Sequence, residues 1–94
     1  MRTINDASDY EVGYAIGFLS ARGEEFSTID VIRKILGTYL CDQGVPAAES
    51  PNALFGKFLS ANAADLKIER VLPDRPAQDD EGNRTTTAYW RPLI

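Results

Sequence analysis

Residues 50–71 read SPNALFGKFLSANAADLKIERV, and the apolar period changes inside this stretch. Ser50 stands where an N-cap is needed, and Pro51 follows at the first helical position, where a missing N–H costs nothing. Leu54, Phe55, Phe58 and Leu59 then recur at helical spacing and define one apolar face. Asn52, Gly56, Lys57, Ser60 and Asn62 fall on the other side. The helical pattern fades near Ala63-Ala64-Asp65. From Leu66 the period is two: Leu66, Ile68 and Arg70 point one way, Lys67, Glu69 and Val71 the other. A helix running directly into a strand is the expectation.

Downstream, Pro73 is expected to end that strand. Residues 74–84 read as an eleven-residue polar wing loop with a turn signal at Asp80-Glu81-Gly82-Asn83. Thr85-Thr86-Thr87-Ala88-Tyr89-Trp90 is rich in β-branched and aromatic residues and predicts a second strand, closed by Pro92. The two strands form a hairpin, with Trp90 packing it onto the helices.

Upstream, two further helices are predicted. Ser8-Asp9-Tyr10-Glu11 is a capping box, in which the Ser8 hydroxyl and the Glu11 carboxylate each satisfy a free backbone N–H. Val12, Ala15, Ile16 and Leu19 give the first helix its apolar face, widened by Tyr14 and Phe18, and Gly23 suits its end. Gly13 and Gly17 lie inside this helix, either as tolerated small residues or as a place of close approach for another helix. Phe26 is a short extended segment. Ser27 then caps a second helix, with Asp30 in its first turn and Val31, Ile32, Ile35, Leu36, Tyr39 and Leu40 at helical spacing as far as about Cys41. The expected core is Val12, Ile16 and Leu19; Phe26, Ile32, Ile35 and Leu36; Leu54, Phe55, Phe58 and Leu59; and Ile68, Val71 and Trp90.

Composition narrows the function. Ninety-four residues allow a single domain spanning 1–94, with its ordered core at about 8–92. The chain has no His, which removes the usual general base near neutral pH and the commonest metal ligand. One Cys makes neither an internal disulfide nor a zinc site. Cys41 has no activating neighbour in sequence and reads as a small apolar residue. There is no Gly-rich phosphate loop, and residues 79–83 lack the alternating oxygen ligands of a calcium loop. The expectation is a protein that is not an enzyme and needs no cofactor or metal. No signal-peptide core and no run of about 20 apolar residues is visible, so no membrane partner is expected and a cytoplasmic setting fits.

The net charge is −4, and all of it lies in the first half. Residues 1–49 hold four basic and eight acidic side chains; residues 50–94 hold six of each. A nucleic-acid contact surface, if there is one, must come from the second half.

The order helix, short extended segment, helix, helix, strand, loop, strand resembles a winged helix-turn-helix domain, an α+β fold of three helices followed by a two-stranded wing. The phrases Phe26-Ser27-Thr28-x-Asp30-Val31, Ser50 to Leu59 and Thr86-Thr87-Ala88-Tyr89-Trp90-Arg91-Pro92 carry the likeness, which covers residues 8–92. In particular the arrangement looks like small uncharacterised winged-helix proteins of phages and mobile elements. The resemblance implies that the third helix enters a DNA major groove with the wing beside it. Its site candidates are Asn52, Lys57 and Ser60 on the helix, Lys67 and Arg70 flanking the hairpin, and Arg75 and Arg84 on the wing, for bases or phosphates.

Charge keeps a second reading open. The third helix has one basic residue, and the wing has the acids Asp74, Asp79, Asp80 and Glu81, which oppose phosphate. The expected partner is therefore duplex DNA, bound by a DNA-binding or nucleoprotein-associated regulator, or a nucleic-acid-binding protein complex. In the second case the chain is an acidic protein-binding module, such as a phage-type anti-CRISPR or anti-restriction inhibitor, contacting its target through Asp79, Asp80 and Glu81. A homodimer joined through helix 1 is a third expectation.

Overall fold

The computed structural model describes residues 3–40 and 50–93. A 3-10 turn at Ile4–Asp6 precedes α1 (Asp9–Ser20), β1 (Phe26–Ser27), α2 (Thr28–Leu36), α3 (Pro51–Ala61), α4 (Ala63–Leu66), β2 (Ile68–Gln78) and β3 (Arg84–Pro92). The expectations for Cys41 and for the connector 45–49 fall outside the described residues.

Each of the three longer helices starts where its cap predicts. The Ser8 hydroxyl accepts from the Glu11 amide at 3.2 Å, and the Glu11 carboxylate accepts from the Ser8 amide at 3.2 Å. Ser27 and Asp30 repeat this reciprocal pair for α2, at 3.0 and 2.9 Å. Ser50 accepts from the Ala53 amide at 3.3 Å and opens α3, with Pro51 in its first turn. α2 is shorter than its periodicity predicts. It stops at Leu36 because Gly37 takes φ +85°, a left-handed cap that L side chains resist.

The sheet is antiparallel in the order β1-β3-β2. Phe26 pairs with Trp90, so β1 docks on the inner half of β3 and ties the N-terminal helices to the hairpin. The eleven-residue loop expected at 74–84 is replaced by paired strand. β2 continues through Pro73 and Pro76 to Gln78, and only residues 79–83 turn. β2 is an edge strand, where a proline's missing N–H breaks no ladder bond. Pro73 lies in a bulge of two extra residues, between the pairs Val71–Tyr89 and Arg75–Thr87.

The core forms between α1, α2, α3 and the inner sheet face. Val31, Ile32, Leu59, Ile68 and Trp90 are its most fully buried large side chains. Trp90 is 1% exposed and donates its indole N–H to the Thr28 hydroxyl at 2.9 Å, which removes the penalty of burying that group. Ile4, Ala15, Ile29, Val31 and Tyr39 join the predicted set. Ile35, Leu36, Phe58 and Val71 are half-buried. Leu54 is a correction: it is 42% exposed, on the outer side of α3. Tyr14 and Phe18 are another; they point away from the core that Val12, Ala15, Ile16 and Leu19 fill.

Candidate nucleic-acid interface

α3 and the outer part of the hairpin enclose an open groove of about 890 Å³. Its helical wall presents Asn52, Ala53, Gly56, Lys57 and Ser60, the polar side of α3 that the sequence pattern picks out. Its sheet wall presents Arg84 to Ala88 of β3, and Arg70 with Asp74 from β2. Ile29, Ile32 and Tyr39 form the floor. Of the seven predicted contact residues, Asn52, Lys57, Ser60, Arg70 and Arg84 therefore line one concave surface.

The other two lie elsewhere. Lys67 takes φ +60° at the end of α4 and lines a separate, smaller depression beside α1. Arg75 is held on the hairpin by Glu25, at 3.0 Å, and stacks on the Tyr89 ring with its guanidinium carbon 4.1 Å from the centroid.

Asn52 has a structural partner. Its side-chain amide donates to the Leu40 carbonyl at 2.9 Å, tying the first turn of α3 to the chain that follows α2. Lys57 and Ser60 are exposed, and neither Lys57 nor Arg84 has an ion pair among the described residues. Arg70 is paired with Asp74 at 2.6 Å. Three cations and one carboxylate thus line the groove, a local excess of two positive charges on a chain whose net charge is −4. Gly56 and Ala53 keep the helical wall low: nothing lies within 4 Å of where a Cβ on Gly56 would stand.

The acids of the wing are engaged within the molecule. Asp79 is 6% exposed, and its carboxylate accepts from the amides of Glu81 and Asn83, at 2.9 and 2.8 Å, and from the Asn83 side chain at 3.0 Å. This carboxylate shapes the tip of the hairpin, with Gly82 at φ +85° completing the turn. Asp80 accepts from the Thr38 hydroxyl at 2.6 Å, the Tyr39 amide at 2.8 Å and the Arg33 guanidinium at 2.7 Å. The Thr38 hydroxyl, then the Tyr39 amide and Arg33, lower its pKa from 3.8 to about 2. Asp79 is thus buried in the turn, whereas Asp80, paired with Arg33, and Glu81 are exposed at the tip of the hairpin.

Sequence reading missed part of this surface. Thr85, Thr86 and Thr87 line the groove beside Arg84, a placement that strand propensity alone does not show. Tyr39 belongs to the floor because α2 ends early and turns it inward, which a continued helical period does not foretell. Among the described residues, no group of three or more His, Cys, Asp or Glu is placed to hold a metal, and no helix is long and apolar enough to cross a membrane. No family model matches the chain, and neither does any curated protein or solved structure.

Proposed function

We propose that this protein is a non-enzymatic, winged-helix DNA-binding regulator, and that the groove between α3 and the hairpin holds the sugar-phosphate backbone. The observation that carries this reading is the gathering of Lys57, Arg70 and Arg84 on one concave surface, opposed by Asp74 alone. The order of elements and the sheet order β1-β3-β2 are compatible with the winged-helix arrangement, in which a third helix and a wing act together. The Arg33 ion pair offsets the charge of Asp80 at the tip of the wing.

The contact is predominantly one of charge. Two cations without ion-pair partners among the described residues and one paired arginine make few phosphate contacts, so affinity is modest and falls with salt at a log–log slope of about 0.9 per contact. Base reading is limited, because Asn52 is committed to Leu40.

The test is a duplex titration across salt concentrations with the wild type and with Lys57→Ala/Arg84→Ala. Binding should weaken as salt rises. The double variant should bind more weakly to every sequence, with a log–log salt slope shallower by about 2, near 0.9 per lost phosphate contact. Absence of duplex binding by the wild type at low salt would refute the proposal.

A further inference from the structure

The bulge of β2 places a carboxylate in a groove otherwise lined by cations. Val71 and Arg75 pair with Tyr89 and Thr87. Four steps along β2 therefore cover the length of two along β3, about 7 Å where a regular strand spans about 13 Å. Arg70 and Asp74, also four residues apart, are drawn together by this shortening. The Arg70 guanidinium meets the Asp74 carboxylate at 2.6 Å, and the two side chains are 43% and 40% exposed. Both line the groove, and Asp74 is its one carboxylate among the described residues. A negative charge at this place opposes a phosphate ligand, and it occupies one of the three cations that such a ligand needs.

We propose that Asp74 is an autoinhibitory carboxylate: it holds Arg70 in the free protein, and a phosphate of the bound nucleic acid displaces it. The proposal rests on the reading of this groove as a site for the sugar-phosphate backbone. The exchange is chemically direct, because carboxylate and phosphate oxygens offer a guanidinium the same acceptors. It is also cheap, because an exposed ion pair of this kind is held weakly. Asp74 is tethered four residues from Arg70, so a free phosphate ion competes poorly with it. A polyanion already held by Lys57 and Arg84 brings its next phosphate to Arg70 at a comparably high effective concentration. The pair thus sets the affinity of the groove below what its three cations permit, and it favours a chain of phosphates over a single one.

A double-mutant cycle on duplex affinity at low salt tests this, with circular dichroism to verify folding of each variant. Asp74→Asn should bind duplex at least about twofold more tightly than the wild type. Glu24→Gln removes the same charge outside the groove and should change affinity less. Arg70→Ala should weaken the Asp74→Asn protein about two- to fivefold more than it weakens the wild type, because only there does Arg70 reach phosphate without first leaving a carboxylate. On addition of duplex to the wild type, the Arg70 side-chain Nε–H NMR signal should shift. Three results would overturn the proposal while leaving the duplex site standing: equal losses from Arg70→Ala in both backgrounds, a gain from Glu24→Gln as large as that from Asp74→Asn, or an unmoved Arg70 signal at saturating duplex. Failure of the wild type to bind any duplex would instead remove the reading of the groove itself, and this proposal with it.

Discussion

Asn52 sits where a base-reading side chain is expected, one residue into the third helix, yet its amide is spent on the Leu40 carbonyl. The physical consequence is a change of role from reader to tether. Asn52→Ala should lower stability by about 0.5–1.5 kcal/mol, the usual net worth of such a hydrogen bond. In a domain of this size that is a fall in Tm of several degrees. Duplex affinity should stay within about twofold of wild type for every sequence. Thermal melts and parallel titrations distinguish the roles: an unchanged Tm with lost preference for particular sequences would make Asn52 a reader after all. The same economy of side chains is seen at Asp79, where a carboxylate that reads as a surface charge instead satisfies three N–H donors of the turn. No sequence pattern announces the Asn52 bond, because the fold alone brings Leu40 near it, whereas the Asp79 bonds are local, to backbone two and four residues on.

At the scale of elements, one carboxylate holds the tip of the hairpin to the end of α2. Asp80 gathers Arg33 from the end of α2 and Thr38 and Tyr39 from beyond Gly37, and its own amide donates back to the Tyr39 carbonyl at 2.9 Å. The folded-state pKa of about 2 lies below the ordinary 3.8, so between these values the folded protein binds fewer protons than the unfolded chain. The stabilisation from Asp80 is therefore complete above about pH 4 and is lost as pH falls toward 2. Asp80→Asn keeps the shape but loses the charge. Its Tm should be lower than wild type at neutral pH, and the gap should close between about pH 4 and pH 2. Equal separation of the two melting curves at every pH from 2 to 6 would contradict this. The anchor explains why the hairpin was only partly legible in sequence. Pro73, Pro76 and the run of acids have the composition of a loop, whereas the edge position of β2 and the Asp79 and Asp80 bonds make most of it strand. The helix starts were legible because their caps are local: Ser8 with Glu11 and Ser27 with Asp30 lie three residues apart. The outer face of α1 was misread for the opposite reason. Periodicity shows that Tyr14 and Phe18 are apolar and helical, but not that the core closes on the side of Val12 and Ile16.

Over the whole molecule, charge is sorted by the fold. Several acids of the first half are occupied locally: Asp6, Glu11 and Asp30 cap helical turns, and Glu25 pairs with Arg75. The second half, neutral in sequence, supplies a groove with a positive excess because Lys57, Arg70 and Arg84 face the same space, whereas Asp79 is buried in the turn and Asp80 is paired with Arg33. Five of the seven contact candidates were readable in sequence and now share a surface; Lys67 and Arg75 do not, since the left-handed residue at Lys67 and the Glu25 pair direct them elsewhere. On the proposed function, a duplex binds in the groove between α3 and the hairpin. The direct measurement is a titration of the isotope-labelled protein with a short duplex at low salt, followed residue by residue through its amide NMR signals. The account predicts that the shifts concentrate on residues 52–60 and 84–88. Shifts confined to α1, or none at all at saturating duplex, would contradict it.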